Sequence, residues 1–226
     1  MCVNGSCVCD NGFMLCNGNC VDTQNDASNC GSCGKVCPVL SSPSYGAICS
    51  AGTCTGYVGG YVAAGSGPAN SNPDGQTVYA VQATMPNVSG NFAGIGGVVG
   101  SNDAVGDTTQ MIYALYSDSG GKPSSLYFNT NPSDTSMAFQ DPSALHTLTS
   151  ASGVYSNGFN NVLAASTTYW VYMKAGTNGR TGEIAGLSSS PCYGGSWINV
   201  APPGTFPSTT TSCPGDFNLY LIVTFP

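Results

Sequence analysis

The chain carries little charge: Lys, Arg, Asp and Glu make up 7% of its 226 residues, against roughly 25% in an ordinary soluble domain. Its cations are Lys35, Lys122, Lys174 and Arg180. Four scattered cations cannot neutralise a phosphate backbone, which excludes nucleic acid, and they offer no basic patch to an anionic membrane. There is one histidine, His146, and one glutamate, Glu183. No G-x-S-x-G elbow marks a nucleophile, so a triad drawn from His146 and Asp141 has no identifiable serine. Carboxylates such as Asp134 and Asp141 fall in turns, where Asp serves backbone hydrogen bonding rather than acid–base work across a cleft. No apolar run approaches the ~20 residues that span a bilayer. No segment of ten or more residues keeps a 3.6-residue period, and 31 glycines oppose long helices. The start, Met1-Cys2-Val3-Asn4-Gly5, has neither a basic nor an apolar signal region, so a mature form with its targeting segment removed is expected. These absences predict a chain that is not an enzyme, does not enter membranes and has no obligatory cofactor.

What the chain does have is cysteine, concentrated at one end. Cys2, Cys7, Cys9, Cys16, Cys20, Cys30, Cys33, Cys37, Cys49 and Cys54 lie within residues 1–54, and Cys192 and Cys213 stand alone near the end. Such density is what small oxidised domains use in place of a large core, and it implies an extracellular or periplasmic compartment. All twelve are expected in disulfides, Cys192 with Cys213 and the other ten among themselves in an open connectivity. Cys30-x2-Cys33 with Cys37 has zinc-like spacing, but among so many exported cysteines disulfides claim the sulfurs. The pattern CVNGSC at 2–7 returns as CSAGTC at 49–54, the mark of a repeat. The run CNGNCVDTQNDASNCGSCGKVC followed by CSAGTC resembles the stigma-specific-protein type of cysteine-rich module over about residues 7–54. That resemblance implies an extracellular disulfide framework without catalytic activity.

Residues 55–76 are rich in Gly, Ser, Asn and Pro, yet GYVGGYVAAG keeps enough apolar residues to lie on a neighbour as an edge strand, so an ordered connection is expected. From residue 77 the period changes to two. Strands are predicted at 77–85, 111–117, 125–130, 167–175, 196–201 and 217–225, with shorter ones at 92–99 and 160–164. The expected fold class is all-β: a small disulfide-rich module (1–54), a connection (55–76) and an antiparallel, jelly-roll-like β-sandwich (77–226). The stretches YALYSDSGGKPSSLY and LAASTTYWVYM resemble the sandwich modules of bacterial secreted and surface proteins.

Few constellations carry chemistry. Asn102, Asp103 and Asp107 in SNDAVGD, with Asp118, are candidate calcium ligands, although they supply only part of the six to eight oxygens required. Tyr155, Phe159, Tyr193 and Trp197 lie in or beside Gly/Ser/Asn loops, where a sugar ring can stack on them, and Asn157, Asn160 and Asn199 offer amides to its hydroxyls. Trp170, inside TTYWVYM, reads as core. Asn4 and Asn87 open N-glycosylation sequons. Two function classes fit: a secreted or cell-surface structural, adhesive protein that self-associates, and a carbohydrate-binding sandwich module that takes a glycan or cell-surface ligand.

Overall fold

The computed structural model describes the chain except residues 1, 4–5, 41–45, 61–68, 72–76, 102–107, 131–135, 139–145, 176–181, 186–191, 197–200 and 207–217. At several strand positions, among them 2–3, 6–7, 99–101, 146–147, 182–185 and 192–196, it describes the backbone alone. The N-terminal module is built of hairpins. β1 (Cys2–Val3) pairs with β2 (Ser6–Cys7), β3 (Phe13–Cys16) with β4 (Asn19–Asp22), and β5 (Ile48–Ser50) with β6 (Thr53–Gly59). The second and third hairpins turn on two left-handed residues, Asn17 (φ 50°) with Gly18 (φ 86°), and Ala51 (φ 48°) with Gly52 (φ 74°). This geometry matches the twist of the flanking strands. The repeated motif is also a repeated register: Cys2 is paired with Cys7 as Cys49 is with Cys54.

Among the described residues four disulfides cross-link the module: Cys9–Cys20, Cys16–Cys33, Cys30–Cys49 and Cys37–Cys54. Such bonds are typical of proteins kept in oxidising compartments. The sulfurs of Cys30, Cys37 and Cys54 lie within 4.8 Å of one another because two bridges pack side by side. A bonded sulfur is not the thiolate that zinc takes. The connecting turns are held by Asx bonds. Asp22 accepts from Asn25 and the Gln24 amide, and Asp26 from Asn29 and the Ser28 amide, which hold both carboxyls below the usual range. Among the described residues no cysteine is free. Cys213 lies outside them, and its expected partner Cys192 is described by backbone alone. Thiol titration of the denatured, unreduced protein is expected to find none of the twelve; more than one labelled cysteine per chain contradicts full pairing.

The remaining described residues contribute the strands β7 (Ala69–Ser71), β8 (Thr77–Thr84), β9 (Gly90–Ser101), β10 (Thr108–Asp118), β11 (Pro123–Thr130), β12 (Ser136–Ala138), β13 (His146–Ser150), β14 (Gly153–Tyr155), β15 (Val162–Leu163), β16 (Thr168–Ala175), β17 (Gly182–Ala185), β18 (Cys192–Ser196) and β19 (Leu219–Phe225). All pairings are antiparallel. One sheet runs β14-β11-β10-β16-β8-β18, with β12 on β10, and the other runs β5-β6-β19-β9-β17-β7, with β13 and β15 on β9. The chain crosses repeatedly from one sheet to the other, as a jelly-roll-like sandwich requires. Among the described residues there is no helix, and so none able to cross a membrane.

Alternation in the strands fills the space between the sheets. Tyr79, Val81, Met111, Tyr113, Leu115, Val171 and Met173 of one sheet meet Val58, Phe92, Ile95, Leu219, Leu221, Val223 and Phe225 of the other. Cys30, Cys37, Cys49 and Cys54 belong to this same cluster. The module and the sandwich therefore share one core, and β6 runs through the boundary expected between residues 54 and 55. GYVGG was expected at an edge: β5 covers β6 only over Thr53–Thr55, and among the described residues Gly56–Gly59 pair with β19 on one side alone. β18 covers Cys192–Ser196, and of the strand expected at 196–201 residues 197–200 lie outside the described residues.

The opposite face of the first sheet is also apolar. Val78, Ala80, Ala114, Tyr116, Trp170 and Tyr172 are buried there together with Phe206. Residues 202–206 cover part of this face: the Tyr116 hydroxyl donates to the Pro203 carbonyl (2.7 Å), and the amides of Leu126 and Phe206 bond to Gly204 and Ser124 across the β11 edge. Trp170 is fully buried, as its sequence context predicts. Lys174 follows it inside, 1% exposed, and burial lowers its pKa. The surface is therefore poorer in cations than the composition suggests.

Candidate functional site

Two irregularities in the β10–β11 ladder shape the most developed surface feature. Leu115 is paired with Phe128 and Tyr116 with Leu126, so Tyr127 is an extra residue with no partner on β10. A second shift follows between Tyr116 and Asp118, whose partner is Pro123. Bulges bend a strand and re-aim the side chain at the bulge. Here the loop after β14 holds the distortion from outside: the Ser156 amide donates to the Tyr127 carbonyl (2.8 Å) and Asn157 Nδ2 to that of Leu126 (2.6 Å).

The re-aimed ring joins an aromatic stack. Tyr127 lies on Phe159 with centroids 5.2 Å apart and planes 5° apart, and Phe159 is stacked with Tyr155 at 6.0 Å and 23°. Phe92 and Phe128 abut the stack edge-on or tilted and tie it to the core. Tyr155 is 46% exposed. The same end carries three non-glycine residues with left-handed backbone, Asn157 (φ 51°), Asn161 (φ 69°) and Ser166 (φ 52°). Non-glycine residues persist in that conformation where surrounding bonds hold them; Ser166 donates its amide to the Pro86 carbonyl (2.7 Å).

Beside the stack opens a cleft of about 380 Å³ lined by Ser117 and Asp118 of β10, Tyr127 of β11, and residues 166–169 at the start of β16. Small-ligand sites have volumes of ~300–1,000 Å³. Every lining side chain carries oxygen and none is a cation. Asp118 is fixed by two donors, Trp170 Nε1 on one oxygen (2.8 Å) and the Gly121 amide on the other (3.1 Å). Ser117 Oγ accepts from the Ser125 amide, which leaves its proton to donate. The Tyr169 hydroxyl accepts from the Ala164 amide, and burial raises its pKa, so it stays protonated and able to donate.

Of the four aromatic residues named from the sequence, the three described ones do not all gather. Tyr155 and Phe159 join at the β14 edge, but Tyr193 is on β18 at the opposite edge of the same sheet. Five strand spacings, roughly 24 Å, separate the two edges. Trp197 and Asn199 lie outside the described residues. Tyr127, the missing member of the stack, reads in sequence as an ordinary alternating strand residue, because a bulge leaves no local signal.

Of the calcium grouping only Asp118 is described; it closes the 11-residue β10, roughly 33 Å of strand from Thr108 at its other end. Asn102, Asp103 and Asp107 lie outside the described residues. Within the second sheet, β13 and β17 pair with opposite edges of β9: His146 with Val99, and Glu183 with Gly100. The two positions are one register step apart, and successive positions of a strand belong to opposite faces. The other triad and glycosidase candidates, Asp134 and Asp141, are outside the described residues. Asn87 is exposed, and Ser89 of its sequon accepts from the Ala165 amide (3.0 Å); Asn4 is outside the described residues. Compared with known proteins, the chain matches no protein-family model and no curated protein.

Proposed function

We propose that the protein is a secreted, non-catalytic adhesive module that binds neutral glycans. The observation that carries this reading is the Tyr127–Phe159–Tyr155 stack, which ends in a half-exposed tyrosine beside a cleft lined with hydroxyls. Aromatic faces take the apolar C–H face of a sugar, and neutral donors and acceptors take its hydroxyls. The low charge of the chain fits an uncharged ligand. Register separation of His146 and Glu183 supports a non-enzymatic role.

Pull-down on a panel of insoluble neutral polysaccharides tests the proposal. At least one is expected to retain the protein, with affinity changing less than about tenfold between low and high salt because few ion pairs are available to screen. Tyr155→Ala is expected to weaken retention severalfold and, because its ring also packs on Phe92, Phe128 and Phe159, to lower the unfolding midpoint modestly while the far-ultraviolet spectrum stays native. Binding to no neutral polysaccharide, or only to acidic ones, overturns the reading. Self-association is the second reading. It rests on β3, where the consecutive Phe13, Met14 and Leu15 are 49%, 43% and 44% exposed. Sedimentation of the same samples separates the two: a monomer that binds glycan excludes assembly as the source of adhesion.

A further inference from the structure

We infer that the cleft between the end of β10 and the start of β16 is a specificity subsite for one uncharged sugar residue, with the Asp118 carboxylate receiving an adjacent pair of its hydroxyls. The inference rests on the glycan reading and deepens it, because the exposed stack alone would accept any sugar face. Three observations carry it. The cleft is built by two successive ladder shifts and a left-handed Ser166, so its shape does not follow from regular sheet geometry. Its lining is wholly oxygen-bearing, with protons left to donate on Ser117 and Tyr169. Its one charge is held rigidly: each Asp118 oxygen already accepts one hydrogen bond and keeps acceptor capacity for another.

A fixed carboxylate with two accepting oxygens matches neighbouring hydroxyls, and such charge-assisted bonds are shorter and roughly twice as strong as neutral ones. The same carboxylate repels a uronate, a sialic acid or a sugar phosphate, since the lining contains no cation to offset it. A calcium ion does not fit either, for a single carboxylate supplies too few of the oxygens it needs. Tyr127 belongs to both features, lining the cleft and stacking on Phe159, so a sugar in the cleft continues directly into a chain lying on Tyr155.

Titration of the protein with neutral monosaccharides and with the corresponding uronic acids, followed by amide chemical shifts, tests the subsite. Shifts are expected at residues 117–118 and 166–169 with at least one neutral sugar and none with its acid. Asp118→Asn, which keeps one acceptor for Trp170, is expected to weaken the neutral sugar about tenfold. Thr167→Val, remote from the Trp170 bond, is the second variant should Asp118→Asn disturb folding, and it is expected to weaken binding severalfold. Retention on polysaccharide that depends on Tyr155 but is indifferent to both cleft variants overturns the subsite and leaves the glycan reading standing. Equal binding of the uronic acid overturns the charge argument, and no binding of any sugar or polysaccharide overturns both.

Discussion

A chain lacking residues 217–226 is expected not to fold. These residues include β19, which is flanked by β6 and β9 and buries Leu219, Tyr220, Leu221, Val223 and Phe225. Fully burying a large apolar side chain is worth ~1.5–3 kcal/mol, so five of them amount to about 10 kcal/mol, comparable with the whole ~5–15 kcal/mol stability of a domain. The deletion also leaves β6 and β9 as open edges, which invite aggregation. Loss of soluble yield and of near-ultraviolet circular dichroism is the expected outcome. A truncated protein that stays soluble with an unchanged spectrum refutes the placement of β19. The milder Leu221→Ala is expected to keep the fold and cost about 2–5 kcal/mol in denaturant unfolding.

The second large effect concerns the disulfide Cys37–Cys54. Its closed loop spans 17 residues, and that of Cys9–Cys20 spans 11. Chain entropy assigns both about 3 kcal/mol, since the dependence on loop length is logarithmic. Burial distinguishes them. Cys37 and Cys54 are 6% and 1% exposed and share a cluster with Leu40, Ala47 and Phe225, whereas Cys20 is exposed. Replacing the inner pair by alanine also opens a cavity in the core that the sheets share. The Cys37→Ala/Cys54→Ala protein is therefore expected to unfold at a clearly lower urea midpoint than Cys9→Ala/Cys20→Ala. Equal midpoints would mean that the inner bridge acts only through the unfolded chain and that module and sandwich are not one cooperative unit.

The long strands were legible because each carries its own two-residue period. In β19 the alternation of Leu219, Leu221, Val223 and Phe225 with Tyr220 and Ile222 marks a strand with two apolar faces, and the structure gives it a neighbour on each edge. β9 was underestimated, expected over 92–99 and observed over Gly90–Ser101, since glycine disfavours strands. Its glycines answer to crowding rather than propensity. A Cβ at Gly97 would stand 2.8 Å from Leu219 Cδ2, and one at Gly96 2.7 Å from Thr149 Cγ2. Strand glycines mark such close approaches, which are invisible until the neighbours are known.

Composition and period by themselves determined the all-β class, the disulfide-rich end and the near absence of charge, since each depends on residue counts or on spacing within one segment. Which aromatic residues meet was decided only by the tertiary structure. Tyr155 and Tyr193 look equivalent in their Gly/Ser loops, yet strand order sends them to opposite edges of a sheet. Tyr127 enters the stack because of a bulge whose cause is the mismatch between two strands. The same holds for the shared core: nothing between residues 54 and 55 announces continuity, because β6 becomes a strand of the sandwich only through its pairing with β19, the last strand of the chain. Pairing across such a separation is a property of the assembled sheet, and no local pattern encodes it.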